Sequence, residues 1–126
     1  MKVTLTIFLL INSMLSFSAV REEKLFDCAH LDETSVVDRL VVSKFALGRN
    51  HYYELEIKLM IQGIEKRYSK RVNLITKYDE RVLHFTNGNH RLKIDRTFPR
   101  EGKYSAFGRV PEYDIHSFNW VCKDWD

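Results

Sequence analysis

The chain has 126 residues, 44% of them hydrophobic, and a formal net charge of +3. This length supports one domain with one hydrophobic core. The small basic excess argues against a nucleic-acid-binding protein, which usually carries a much stronger positive charge. The chain also lacks a nucleophile elbow, a glycine-rich phosphate loop and histidine pairs at metal-ligand spacing. We therefore expect no enzymatic activity, no cofactor and no bound metal ion.

Residues 1–18 have the order of a secretory signal peptide. Lys2 is followed by a short apolar run and then by small residues up to the predicted cleavage site after Ser18, with Ala19 as the alternative. An uncleaved anchor helix is the competing interpretation, but the run is short and interrupted for a membrane span. We predict that residues 19–126 form a single secreted, extracellular β domain that is not an integral membrane protein.

The two cysteines, Cys28 and Cys122, lie near the two ends of this domain. An even number of cysteines in a small secreted domain is typical of a disulfide. A metal site is the alternative, but no histidine at ligand spacing accompanies the cysteines. We predict a disulfide that ties the first structural element to the last.

Residues 20–35 are rich in charge and are predicted to be an irregular lead-in. Residues 36–45 leave two interpretations open. Ser35 and Asp38 could form a helix capping box, whereas four valines in seven residues favour a strand, which we prefer.

Residues 52–62 show the clearest periodicity. Apolar residues from Tyr53 to Leu59 alternate with mostly polar ones, so a strand here has one buried face and one solvent-exposed face. That pattern is typical of antiparallel sheets. Further strands are predicted over 66–77, 81–86, 90–96, 104–110 and 113–122.

The dipeptide Asn87-Gly88 predicts a two-residue type I′ hairpin, in which Phe85 would pair with His90. In that register the apolar residues of both strands share one face. They are Leu83, Phe85, Leu92 and Ile94.

These elements predict a mainly β fold. We expect an immunoglobulin-like antiparallel β-sandwich of six strands, or of seven if residues 36–45 form a strand. The alternative is an α+β fold with a helix at 36–47 packed on an antiparallel sheet.

Several short motifs follow one another in the first half of the chain. They are Leu25-Phe26-Asp27-Cys28, Val37 with Leu40-Val41-Val42-Ser43, Gly48, and the alternating Tyr53, Leu55, Ile57 and Leu59. This series resembles the ML lipid-recognition domain family of secreted immunoglobulin-like sandwiches. The resemblance implies a lipid or sterol held between two sheets, and a first cysteine that pairs with one near the C-terminus. The family's internal short-loop disulfides have no counterpart in this chain.

Four of the five histidines are predicted to lie at the surface or rim: His30, His51, His84 and His90. The fifth, His116, lies two residues from Asp114 on the last predicted strand. The pair could be a polar anchor at a pocket mouth or an acid–base pair. We prefer a strand end that emerges into solvent.

Two functions from different classes are compatible with these features. In the first, the protein binds a lipid or other hydrophobic small molecule in a cavity between the sheets. The residues predicted to face that cavity are Tyr53, Leu55, Ile57, Leu59, Leu83, Phe85, Ile94 and Phe118.

In the second, the protein is a secreted protein-interaction domain with a filled core and no small-molecule ligand. The predicted partner-binding residues are the basic residues Lys66, Arg67, Lys70 and Arg71. The competing interpretation of this cluster is a solvated strand end whose charges prevent edge-to-edge aggregation.

Overall fold

The computed structural model describes residues 20–126, so the predicted signal peptide lies outside the described residues. Eight strands and one short 3₁₀ helix follow one another along the chain. They are β1 (Arg21–His30), β2 (Val37–Leu47), β3 (Asn50–Ile61), β4 (Ile64–Lys77), β5 (Val82–Thr86), β6 (Arg91–Arg100), β7 (Lys103–Val110), the 3₁₀ helix (Pro111–Tyr113) and β8 (Ile115–Asp124).

Each strand pairs antiparallel with the next one in sequence, and β1 also pairs with β8, which closes the sheet into a barrel. The mainly β, antiparallel prediction is confirmed, but the sandwich of six or seven strands is wrong. The difference arises at residues 20–35, which do not form an irregular lead-in. They contain β1, whose first four residues, all charged, are exposed while Phe26 and Cys28 face inward.

The helix predicted as an alternative at 36–47 is also wrong. Val37–Leu47 forms strand β2, which pairs with β1 on one side and β3 on the other. The β-branched valines decide the outcome here, because they pack well on a pleated surface with neighbours on both sides.

The β5–β6 hairpin forms, but its turn is shifted by one residue. Phe85 pairs with Leu92 instead of His90, so Gly88-Asn89 occupies the turn. The Asn87 side chain explains the shift, because its Oδ1 accepts the backbone N–H groups of Asn89 at 2.9 Å and His90 at 2.7 Å. Each β5 residue thus pairs two residues further along β6 than predicted. A shift of two residues keeps the predicted apolar residues on the same face.

Side chains from all eight strands fill the barrel interior. The fully buried ones include Trp120, Phe85, Leu40, Leu55, Ile57, Leu92, Ile94, Val37, Val42 and Val110. Trp120 of β8 is the largest, and Gly108 of β7 makes room for it. A Cβ at Gly108 would lie 2.5 Å from the indole Nε1.

The predicted disulfide is confirmed. Cys28 of β1 faces Cys122 of β8 in register, and their sulfur atoms are bonded. The bridge therefore crosses the seam where the first and last strands close the barrel. It is consistent with an extracellular location, where disulfides persist. Within residues 20–126, no helix has the length and apolar character needed to cross a membrane.

Candidate interaction surface on strand β4

Strand β4 carries a larger net positive charge than the whole chain. Its sequence, IEKRYSKRVNLITK, holds five basic residues and one acidic residue, so its formal charge is 5 − 1 = +4. The whole chain carries +3, which leaves 3 − 4 = −1 for everything else. β4 is therefore a strongly basic strand on an otherwise almost neutral molecule.

The same strand is only partly paired. β4 pairs with β3 from Val72 back to Ile64, but it pairs with β5 only between Asn73 and Lys77. β5 is too short to continue, because the chain turns back at Thr86. Residues 64–72 therefore have a strand neighbour on one side only, and we call this segment the β4 edge.

The hairpin register shows which backbone groups point outward from the β4 edge. Ile61 pairs with Ile64 across the two-residue turn Gln62-Gly63, so this pair exchanges hydrogen bonds and every second pair after it does the same. The residues bonded to β3 are thus 64, 66, 68, 70 and 72. The N–H and C=O groups of Glu65, Arg67, Ser69 and Arg71 point away from β3.

All four of these residues are exposed. Among residues 20–126, the cations of the β4 edge form no salt bridge. The salt bridges within residues 20–126 are Arg39–Asp27, Lys58–Glu56 and His90–Glu112. Arg71 is instead held over the ring of Tyr52, with its guanidinium carbon 4.0 Å from the ring centroid. A stacked arginine keeps its charge available to a partner while its position is fixed.

A polar cluster joins three elements beside the β4 edge. It consists of His90 at the β5–β6 turn, Glu112 of the 3₁₀ helix and the inward-facing Tyr68 of β4. His90 Nε2 lies 2.5 Å from Glu112 Oε1. His90 is only 6% exposed, so the prediction of a surface position for this histidine is wrong.

The neighbouring asparagine assigns the tautomer of His90. Because Asn87 Oδ1 accepts two backbone N–H groups, its Nδ2 is the atom that faces His90 Nδ1, at 3.2 Å. Nδ2 donates, so Nδ1 accepts and the ring proton of the neutral histidine sits on Nε2, which donates to Glu112. Both ring nitrogens of His90 therefore have hydrogen-bond partners, which join the β5–β6 turn to the 3₁₀ helix. Neither nitrogen is free to accept a proton from a substrate.

The environment shifts two pKa values in this cluster. Burial is the main cause that raises the pKa of Tyr68, and the nearby Glu112 carboxylate adds to it. Burial alone would also raise the pKa of Glu112. Its own backbone N–H, the His90 ring and the Tyr68 hydroxyl stabilise the carboxylate, however, and lower its pKa below the ordinary value of 4.5. The Tyr68 hydroxyl is buried beside this carboxylate without a well-formed hydrogen bond.

We expect the Glu112→Gln variant to be less stable than the wild type at neutral pH and equally stable in acid. A carboxylate with a lowered pKa stabilises the fold above its ordinary pKa, and this contribution is lost as the pH falls through the folded-state pKa. Because the Glu112 side chain is 38% exposed, solvent screening keeps the neutral-pH difference below about 1 kcal/mol. Urea unfolding at a series of pH values measures it, and a difference that stays constant as the pH falls into the acid range would contradict this assignment.

Seven of the eight residues predicted to face a cavity lie on the interior face of the barrel. Leu55, Ile57, Leu59, Leu83, Phe85 and Ile94 belong to the buried core, and Tyr53 packs against it. Phe118 does not share this face, since 78% of it is exposed. A bulge in β8, between the pairs Ala106–Trp120 and Gly108–Ser117, shifts the alternation and turns Phe118 outward.

The best-defined concavities among residues 20–126 are grooves on the outer surface. One, of about 370 Å³, lies over β1 and β8 and is lined by Asp27, Arg39 and Lys103 among others. Another, of about 440 Å³, includes Asp114 and His116. His116 is exposed and stacks edge-on against Phe107 at 4.9 Å, as expected for a strand end in solvent. Within the described residues, no three potential ligand side chains are arranged to hold a metal ion.

The fold defines an up-and-down antiparallel barrel, and its most unusual surface is the basic β4 edge. Eight strands enclose an interior that side chains can fill or that can hold one small ligand. No family model, no curated protein and no solved structure matches the chain.

Two features of this surface were not predicted from the sequence: the free edge of β4 and the cluster of Tyr68, His90 and Glu112. The free edge could have been found from the unequal lengths of the predicted strands 66–77 and 81–86, since the shorter strand cannot cover the longer one. The cluster of Tyr68, His90 and Glu112 joins three separate elements and has no local signal.

Proposed function

We propose that this protein is a secreted interaction domain with a filled core, which binds an acidic protein partner through the β4 edge. The observation that carries the proposal is the concentration of charge on one strand. β4 holds a formal charge of +4 while the remainder of the chain holds −1. The described residues provide no ion-pair partner for Lys66, Arg67, Lys70 or Arg71.

The packing of the interior supports an external site over an internal one. A carrier of a lipid or other hydrophobic molecule would need space among the inward-facing residues. Leu55, Ile57, Phe85 and Ile94 are completely buried and belong, with Trp120, to one hydrophobic core cluster. None of the best-defined concavities among residues 20–126 is lined by these four side chains. A ligand would therefore have to displace well-packed side chains, which costs free energy.

The electrostatic arrangement favours an acidic partner. Arg67 faces Lys58 on the neighbouring strand, so two like charges lie side by side. Like charges directly opposite each other destabilise a sheet. Glu56 already pairs with Lys58 at 3.9 Å, so a partner's carboxylate would serve Arg67. An acidic partner is also attracted from a distance, which raises the association rate at low ionic strength.

We expect the Arg67→Glu/Arg71→Glu double variant to lose at least about 100-fold in affinity for an acidic partner, because two attractive contacts become repulsive. Biolayer interferometry at low and physiological salt measures this, first with polyglutamate as the probe and then with partners recovered from the secretome. The affinity of the wild-type protein should fall as salt is added.

A matched control is available at the opposite end of the barrel. Arg100 and Lys103 face each other across the β6–β7 hairpin and are both exposed. The Arg100→Glu/Lys103→Glu variant changes the net charge by the same amount and should keep most of the affinity. Equal losses in the two variants would show that only net charge matters, and the β4 edge would lose its role.

A further inference from the structure

We infer that the partner of the β4 edge binds as an added β-strand. An extended acidic segment would lie beside residues 64–72 and continue the sheet where β5 ends. This inference rests on the proposed function, because it names the form that the acidic partner takes. It adds that main-chain hydrogen bonds, and not charge alone, hold the segment in place.

The backbone of the β4 edge is prepared for such an addition. The N–H and C=O groups of Glu65, Arg67, Ser69 and Arg71 point away from β3, and within the described residues no backbone hydrogen bond reaches them from another element. These four residues present alternating donors and acceptors over about 20 Å, at ~3.4 Å per residue. An unpaired row of this kind is a template for another strand.

The charges select an acidic strand. Arg67 and Arg71 project from the outer face, whereas Lys66 and Lys70 project from the other face. A strand with carboxylates at alternate positions would therefore meet arginines when its acidic face is outward and lysines when it is inward. Cross-strand pairs of opposite charge stabilise the outward arrangement. The inward arrangement also brings the carboxylates towards Glu112, which lies beside Tyr68 on that face.

The same charges disfavour a second copy of this chain as the occupant. Two β4 edges paired with each other would bring two segments of like charge together, which destabilises the pairing. Another unpaired stretch, at residues 21–24 of β1, has two acidic and two basic residues and no net charge. It therefore offers no comparable attraction to an acidic strand.

The Ser69→Pro variant tests the added strand. The N–H of Ser69 points away from β3, so proline removes a donor from the free edge and breaks no β3–β4 hydrogen bond. The side-chain control is Ser69→Val, which keeps the N–H and the strand propensity. The probe is a capped synthetic peptide of alternating glutamate and valine. We expect Ser69→Pro to bind it at least about tenfold more weakly than Ser69→Val.

A second measurement uses the wild-type protein, so it does not depend on how Ser69→Pro folds. In the free protein, the amides of Arg67, Ser69 and Arg71 should exchange with solvent rapidly, and those of Tyr68 and Lys70 slowly. The peptide should protect the three fast amides. A peptide of the same charge, N-methylated at alternate residues on its pairing edge, should give no such protection.

The outcomes separate this inference from the proposed function. If charge reversal at Arg67 and Arg71 removes binding but Ser69→Pro and N-methylation do not, the acidic partner stands and the added strand is overturned. If neither charge reversal nor Ser69→Pro changes binding, both are overturned. If the peptide does not bind the wild-type protein at low salt, the added strand is overturned, and the polyglutamate measurement alone decides the proposed function.

Discussion

Replacing both Cys28 and Cys122 by alanine is expected to lower the free energy of unfolding by about 4 to 5 kcal/mol. The bridge spans 94 residues of sequence, so it removes a large amount of conformational freedom from the unfolded chain. Both half-cystines are completely buried, which adds a packing loss when the sulfur atoms are removed. A loss of this size is a large fraction of the stability of an ordinary domain, about 5 to 15 kcal/mol.

Urea unfolding followed by circular dichroism measures this loss. Reduction of the wild-type protein with dithiothreitol provides the control, because it opens the same bridge without removing any side chain. The reduced protein should lose a similar amount, less the packing contribution. A difference below about 1 kcal/mol in both experiments would contradict the claim that the bridge secures the seam between β1 and β8.

Replacing Trp120 by alanine is expected to destabilise the fold by about 3 to 5 kcal/mol, the range for large aromatic residues in cores. Trp120 is 1% exposed and is the largest of the fully buried side chains. Its removal would leave a cavity that the closed barrel cannot easily collapse, because strands on every side hold its walls in place.

Trp125 offers a matched control, since it is the other tryptophan of the chain and is 38% exposed. The same substitution there, Trp125→Ala, should cost no more than about 1 kcal/mol. Thermal unfolding of the two variants side by side makes the comparison. Equal losses at the two positions would show that Trp120 is not the centre of a packed interior.

The fold was predictable where strand signals are local. Residues 52–62 alternate so regularly that β3 and its inward face follow from sequence alone. β1 could not be recognised in the same way, because its first four residues are charged and only Phe26 and Cys28 mark its inner face. Without β1 the seam with β8 is invisible, and a closed barrel cannot be told from an open sandwich.

The candidate site was predictable in composition but not in its geometry. The basic residues Lys66, Arg67, Lys70 and Arg71 stand out in the sequence, whereas the free edge beside them depends on where β5 ends. The orientation of Phe118 depends on a one-residue bulge in β8. The hairpin register depends on two hydrogen bonds accepted by Asn87. Each of these features is a tertiary or side-chain effect that overrides the local pattern.

An interaction domain that binds its partner on the outer surface needs a filled interior, whereas a lipid carrier needs a hollow one. The state of the interior therefore distinguishes the two functions. Native mass spectrometry of the purified, oxidised protein, followed by organic extraction, tests it most directly. A filled barrel should show the mass of the polypeptide less two hydrogens for the disulfide, with nothing extracted by solvent. An added mass that solvent releases, and whose removal loosens the packing around Trp120, would contradict it and show that the barrel holds a hydrophobic ligand.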